Sequence, residues 1–394
     1  MISLAFTVTY SFMKREDNVF FCDIHVHATS RFLECETAEL HSMLYAEPCG
    51  EDLAAQIVRL RKGVDYVAEQ WDVKPVFMRY FMTDATNQAE YIPEETDCAV
   101  SIIQQPPLDG NKVVLWVYFV RCSNIYNVKE KNAVVGSTTV VEHNGYKHLW
   151  NMGMCVPQGG SDYQTSELLN AYEAVLAERN LNIADHCQRT WFFVRDVDTN
   201  YAGLVVARRD NFTEQGLTSD THYIASTGIG GSPAETKALV QLGCYALDGF
   251  QKEQIKYLYA PTHLNPTYEY GVTFERGTSI EFGDRKHVYI SGTASINNKG
   301  EVVHVGNIEK QAERMCENVD TLLAEAGSGP ADVMQVIVYL RDIADYKVAK
   351  EIVGYHYQGA PIVYTLAPVC RPQWLIEMEC IAINEKGNPD FRPF

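Results

Sequence analysis

The stretch Ala367-Pro-Val-Cys-Arg-Pro-Gln-Trp-Leu-Ile-Glu-Met-Glu-Cys-Ile-Ala-Ile383 reads as a polar loop running into a β-strand that carries two carboxylates. Alternation along a strand puts Glu377 and Glu379 on one face, with Ile376, Met378 and Cys380 on the other. The chain holds two rewrites of this stretch that lack the acids. One is Gln105-Pro-Pro-Leu-Asp-Gly-Asn-Lys-Val-Val-Leu-Trp-Val-Tyr-Phe-Val120; the other is Thr227-Gly-Ile-Gly-Gly231 followed by Leu239-Val-Gln-Leu-Gly-Cys-Tyr-Ala-Leu247. A repeat with one chemically distinct copy points to one live site in a pseudo-symmetric scaffold.

Working outward, each copy ends a unit of strand pair, helix, strand, helix and strand. Lys147-His-Leu-Trp-Asn-Met-Gly153 matches Lys286-His-Val-Tyr-Ile-Ser-Gly292, both short β-prone runs closed by glycine. Helical spacing of apolar residues predicts helices over Glu51–Gln70, Thr165–Glu178 and Ile308–Ala326, the last with Gly327 as C-cap. Each is followed by an Asp and a buried strand: Val76–Met82, Thr190–Val194 and Val336–Leu340, leading to Thr83-Asp84, Arg195-Asp196 and Arg341-Asp342. A second helix is expected after each. Unit boundaries fall at 1–125, 126–255 and 256–394. The alignment of final strands places Gln241 and Trp116 opposite Glu377, and neither can serve as a carboxylic acid.

Bulk properties exclude several classes. With 394 residues, 46% hydrophobic and 21% charged, a soluble protein of two or three domains is expected. A net charge of -18 argues against nucleic-acid binding, and no run reaches the length of a membrane span. The eleven cysteines include no CxxC pair, so reduced thiols in a cytoplasmic protein are expected. The N-terminal Met1–Tyr10 run alternates like a strand. Asp23-Ile-His-Val-His27 puts two His on one strand face, but no downstream His and Asp constellation supports a metal site.

The third unit resembles the Rid family (YjgF-like proteins). The carrying residues are Ile290-Ser-Gly-Thr-Ala294, Asn318-Val-Asp-Thr-Leu-Leu323, Val338-Tyr-Leu-Arg-Asp-Ile343 and Leu375-Ile-Glu-Met-Glu-Cys-Ile-Ala382. The resemblance implies a small α+β unit whose relatives form trimers with ligand sites between subunits. Three tandem Rid/YjgF-like (chorismate-mutase-like) units then make a single-chain pseudo-trimer, itself a monomer. Most Rid enzymes hydrolyse imines, holding the substrate carboxylate with an Arg about fifteen residues before the Glu that matches Glu377. Here Gly359-Ala-Pro-Ile-Val-Tyr364 contains no Arg, which argues against imine deamination. An endoribonuclease role, also attached to such proteins, conflicts with the acidic net charge.

The longer chain is similar to the chorismatases, built as one chain on this fold. Gln105-Pro-Pro-Leu108, Ser226-Thr-Gly-Ile-Gly230, Tyr270-Gly-Val-Thr-Phe-Glu-Arg-Gly-Thr278 and Pro368-Val-Cys-Arg371 carry this, with Glu377 seven residues beyond Cys370. The resemblance implies a small anionic substrate of the chorismate kind and no cofactor. Glu377 would protonate the enolpyruvyl ether, its pKa raised by burial and by Glu379. Cys370 leans toward a hydroxybenzoate product and Ala294 toward a dihydrodiol, leaving the product open. Substrate-binding candidates are Gly228, Gly230 and Gly231 through backbone N–H groups, Arg208 and Arg209 where the family keeps an Arg-Tyr pair, and Arg276, Arg371 and Tyr270. Tyr268 could join Tyr270 in the pocket. A Rid-like hydrolase of another enamine or imine acid, or a non-catalytic small-molecule-binding protein, are the alternatives.

Overall fold

Apolar periodicity of two and of 3.6 residues partitions this chain into strands and helices, and the caps set the helix ends. The computed structural model describes residues 15–21, 24–46, 50–94, 96–130 and 134–394. The expected strand at residues 1–10 and Asp23 of the His-x-His run lie outside them.

The first unit contains β1 (Arg15–Phe21), β2 (Ile24–Arg31), β3 (Glu39–Ala46), α1 (Leu53–Trp71), β4 (Lys74–Met82), α2 (Ala85–Gln88), β5 (Ala99–Gln104) and β6 (Val113–Val120). The second contains β7 (Ile125–Lys129), β8 (Val135–His143), β9 (Tyr146–Cys155), α3 (Ser161–Ala177), α4 (Ile183–His186), β10 (Cys187–Val194), α5 (Val197–Glu214), β11 (Ala225–Gly230), β12 (Ser232–Pro233) and β13 (Val240–Asp248). The third contains β14 (Ile255–Leu258), β15 (Gly277–Glu281), β16 (Lys286–Ala294), α6 (Ile308–Glu325), β17 (Val333–Leu340), α7 (Tyr346–His356), β18 (Ile362–Leu366) and β19 (Ile376–Asn384).

Each unit forms one mixed sheet with the same core order: β2-β3-β6-β4-β5, β8-β9-β13-β10-β11 and β15-β16-β19-β17-β18. In each, a hairpin is followed by a helix, and the last strand inserts between the hairpin and a parallel pair. This is the three-unit α+β pseudo-trimer.

The repeated helices have good ends. Asp52 caps α1 by accepting from Ala55 N at 2.9 Å. Gly327, at φ 76°, closes α6, and Ser328 N donates to Leu323 O at 2.8 Å. The first unit departs from expectation after β4. Its second helix is only the four-residue α2, where the other units have α5 and α7. The strands β9 and β16 also run through Gly153 and Gly292 to Cys155 and Ala294 instead of ending at the glycines.

Alternation on the last strands builds the layers. Val114, Trp116, Tyr118 and Val120 of β6 join a core shared by all three sheets, whereas Val113, Leu115, Val117 and Phe119 pack with α1. Tyr245 and Leu247 of β13 do the same as the first set, while Leu242, Cys244 and Ala246 face the helices of their own unit. The inner faces of the three sheets therefore share one interior, and Glu377 and Glu379 stand on that side.

Cross-strand pairing fixes which positions are equivalent. Val114 pairs with Phe81, Gln241 with Phe193 and Glu377 with Tyr339, one residue in from the same end of each pair. Gln241 is opposite Glu377, as the sequence suggests. Trp116 is not: it pairs with Arg79 and occupies the position of Glu379, and Val114 is the first unit's counterpart of Glu377.

Candidate functional site between the second and third units

Strand β19 carries Glu377 to the junction with the second unit, where it pairs with Ala294 of β16 on one side and Tyr339 of β17 on the other. Pairing of β16 with β19 slips between Ile290 and Thr293, a bulge beside the acid. Gly292 lies in that bulge, and a Cβ there would stand 2.1 Å from Glu377 Oε1. A side chain at this position would force the carboxyl to move.

The second unit closes the other side with β11. Ser226 N donates to Ser291 Oγ at 2.9 Å and Gly292 N to Thr227 Oγ1 at 2.9 Å. The loop before β19, which holds Cys370, is pinned by Gly230 N to Pro368 O at 2.9 Å and Arg341 Nη1 to Val369 O at 2.7 Å. A cleft remains, lined by Tyr201, Arg208, Ser226 and Gly228 from the second unit. From the third unit come Tyr270, Val272, Phe274, Arg276, Gly292, Ala294, Ile296, Cys370, Arg371, Trp374 and Glu377.

Glu377 is 5% exposed, and its carboxyl is pushed up to about 8, first by burial and next by the charge of Glu379; Arg276 and Arg189 oppose this. At neutral pH it is a buried acid holding its proton, as general-acid work requires. Arg208 is 1% exposed. Its Nη1 donates to Ser226 Oγ at 3.3 Å, while Nε and Nη2 are buried without a hydrogen-bond partner among the described residues. A buried guanidinium with unmatched donors invites an anion. Burial lowers its pKa, the neighbouring Tyr201 opposing. The cleft thus sets a protonated carboxyl and a buried guanidinium in one enclosure.

Other expected residues divide. Gly228 belongs to the cleft for want of a side chain, since a Cβ there would meet Tyr201 Cε2 at 2.9 Å. Gly230 and Gly231 do not offer their N–H groups to a ligand; these are spent on Pro368 O and Val194 O, and the expected turn is the end of β11. Arg209 points away and pairs with Asp210 at 3.0 Å on the surface. Arg276 lines the cleft with Nε and Nη2 held by Asn265 O at 3.3 and 3.0 Å. Arg371 sits over Tyr270 and Trp374, 4.9 and 5.3 Å from their ring centroids. Ala294 is beside Glu377, while Tyr268 is half-exposed and outside the cleft lining.

Cys370 lines the cleft as a thiol: burial, then the Glu377 carboxyl, pushes it up to about 12. Glu379 is not in the cleft wall. It receives Arg189 Nη2 and Trp191 Nε1, each at 2.8 Å, and the Thr227 hydroxyl. Both of its oxygens are engaged by the second unit, so the expected catalytic residue Glu379 does not line the cleft beside Glu377. His25 and His27 lie on β2, and among the described residues no group of three or more His, Cys, Asp or Glu is placed to hold a metal ion.

Sequence reasoning missed Tyr201, Ser226, Phe274 and Trp374. Tyr201 carried the one usable signal, since it precedes Arg208 by seven residues, two turns along α5 and hence on the same face. The Arg-free segment 359–364 leads into β18, which is not the strand opposite Glu377. β18 faces the first unit, where Tyr45 Oη donates to Ile362 O at 2.8 Å, so the strand opposite Glu377 is β11.

At the two other junctions the positions equivalent to Glu377 carry no carboxyl. Gln241, between the first and second units, accepts from Ser101 Oγ at 2.7 Å and donates to Ile102 O at 3.1 Å. Val114, between the third and first, pairs with Tyr45, whose hydroxyl is engaged across that junction.

Nine cysteines among the described residues are free thiols, and no helix there is long and apolar enough to cross a membrane. Residues 279–384 match the family model described as endoribonuclease L-PSP. A RutC family protein of Pyrococcus abyssi is 34% identical over 101 residues, 25% of this chain and 79% of the relative. The 3-aminoacrylate deaminase RutC of Acinetobacter baylyi is 30% identical over 97 residues, 24% of this chain and 77% of that protein. Among solved structures, a chorismatase matches with a TM-score of 0.61 and 18% identity, covering 78% of this chain and 92% of its own. That similarity is one of fold and spans most of the chain, whereas each sequence relative matches about a quarter of it and the family model falls in the third unit. By its third unit the chain belongs to the RutC family, and it carries that unit within a chorismatase-like fold.

Proposed function

We propose that the protein is a chorismatase-like enzyme that releases pyruvate from an enolpyruvyl ether of the chorismate kind. The observation that carries this reading is the pairing, in one cleft, of the protonated Glu377 with the unmatched guanidinium of Arg208. An enol ether flanked by a carboxylate needs both. The anion is held by Arg208, with Arg371 as a second positive group for a second carboxylate.

Glu377 then delivers its proton to the terminal methylene carbon. The π electrons form the new C–H bond, and the positive charge left on the ether carbon is shared with the ether oxygen. Water adds to that carbon, giving up its proton to the Glu377 carboxylate. The resulting hemiketal expels the ring alcohol, and pyruvate departs. Apolar walls at Val272, Phe274 and Ile296 limit bulk water around the charged intermediate. The thiol state of Cys370 makes covalent capture by a thiolate no part of this scheme.

The test is incubation with chorismate, with pyruvate coupled to lactate dehydrogenase. Release by the folded wild type and its loss in Glu377→Gln are expected; no release at high enzyme concentration refutes the reading. A second reading, deamination of an enamine acid, gains from Arg208, which supplies the carboxylate binder absent from 359–364. It predicts ammonia release from 3-aminoacrylate by the same preparation.

A further inference from the structure

We propose that Glu379 is a positioning residue, held where the three units meet, which fixes the place and charge state of the Glu377 carboxyl without touching substrate. The inference rests on Glu377 being the working acid of the reading above.

Each unit contributes to the cluster around Glu379. The first gives Arg79, buried between the rings of Trp116 and Trp191 at 5.0 and 4.9 Å, with Nη1 3.9 Å from Glu379 Oε1. The second gives Arg189, Trp191 and Thr227. The third gives Glu379 itself, 1% exposed. Two guanidinium groups thus share one carboxylate in the interior, leaving a net positive charge close to Glu377.

A mechanical link joins cluster to acid. Thr227 Oγ1 accepts from Arg189 Nη2 at 2.5 Å, donates to Glu379 and accepts from Gly292 N at 2.9 Å. Gly292 is the residue against which Glu377 Oε1 rests. Removing Glu379 therefore frees Thr227, and through it the bulge that seats the acid.

An electrostatic link acts as well. Of the charged groups around Glu377, Glu379 of β19 is the negative one; Arg189 of β10 and Arg276, just before β15, are positive. Arg208 of α5 and Arg371 of the loop before β19 add positive charge on the cleft side. Tyr339 of β17, Tyr201 of α5, Tyr270 and Cys370 are raised by burial and stay neutral through the range in which Glu377 titrates. Without Glu379, the remaining positive charges favour the ionised form of Glu377; without Arg79, they favour it less.

The experiment is an infrared pH titration of the protonated-carboxyl band of Glu377, assigned by its loss in Glu377→Gln. The wild-type midpoint is expected near 8. Glu379→Gln should move it down by about one unit or more, and Arg79→Met should move it up. Coincident midpoints, or shifts in the same direction, overturn the proposal. Should Glu379→Gln fail to fold, Arg79→Met decides alone: an upward shift supports the proposal, and no shift or a downward one overturns it. The band needs no substrate. Absence of pyruvate release with these shifts present would remove the proposed reaction and leave the positioning role standing.

Discussion

Glu377 and Glu379 stand two residues apart on one strand face, yet their surroundings give them opposite chemistry. Glu379 has three donors, whereas Glu377 has burial and a like charge. The consequence for stability has a definite sign. The folded pKa of Glu377, about 8, lies above the ordinary 4.5, so folding takes up a proton between those values and stability falls as pH rises through them. Relative to Glu377→Gln, the wild type should lose up to ~4–5 kcal/mol between pH 4.5 and 8, with no difference below that window; chemical denaturation at stepped pH measures this. Activity by general acid should fall over the same upper limb, as pH passes about 8. Arg208→Met is expected to do two things at once. It should lower kcat/KM by roughly a hundredfold and stabilise the ligand-free protein by about 1–2 kcal/mol, because a buried cation with unmatched donors is removed. Steady-state kinetics and thermal melts on the same samples check both. The acid was legible in the sequence because alternation alone assigns a face. Trp374 was not, since nothing local says that the loop before β19 converges on α5; for Tyr201 the two-turn spacing from Arg208 was the one cue.

At the scale of elements, the site is a bulge in β16, a strand β11 from the neighbouring unit, and a pinned loop. Gly292→Ala would place a Cβ 2.1 Å from Glu377 Oε1. We expect roughly a hundredfold loss of activity, with a melting temperature that falls far less than in Gly230→Ala, where the obstructing atom is Pro368 O at 2.6 Å, a backbone group that cannot swing aside. Activity and melting measurements on the two variants check the contrast. Helices α1, α3 and α6 and strands β4, β10 and β17 were legible from their periods, and their ends from caps such as Asp52 and Gly327. The register of β6 was not. Trp116 is two residues from the counterpart of Glu377, and a slip of two keeps every side chain on the same face, so the apolar pattern cannot expose the error. Hydrogen-bonded pairing with β4 resolves it. The shortened α2 also left no trace in an alignment anchored on strands.

For the whole molecule, fusion of three units lifts the requirement that three junctions be alike. At two of them the position of Glu377 is differently used: Gln241 is tied to Ser101 and Ile102, and Val114 lies beside Tyr45. The third keeps a cleft, because Gly228 and Gly292 supply space and the full-length α5 supplies Tyr201 and Arg208. The first unit's α2 is too short to supply their like at the next junction. Gln241→Glu, placed in the Glu377→Gln background, should therefore restore no pyruvate release, and calorimetry should find one ligand bound per chain. Recovery of activity would mean that a carboxyl alone makes the site.

The central claim, that Glu377 delivers a proton to carbon, is tested most directly by turnover of chorismate in D₂O, with pyruvate trapped at once as lactate. The account predicts one deuterium in the methyl group of the trapped product, and no such product from Glu377→Gln. Pyruvate formed without deuterium at that carbon, or formed equally by Glu377→Gln, would contradict it.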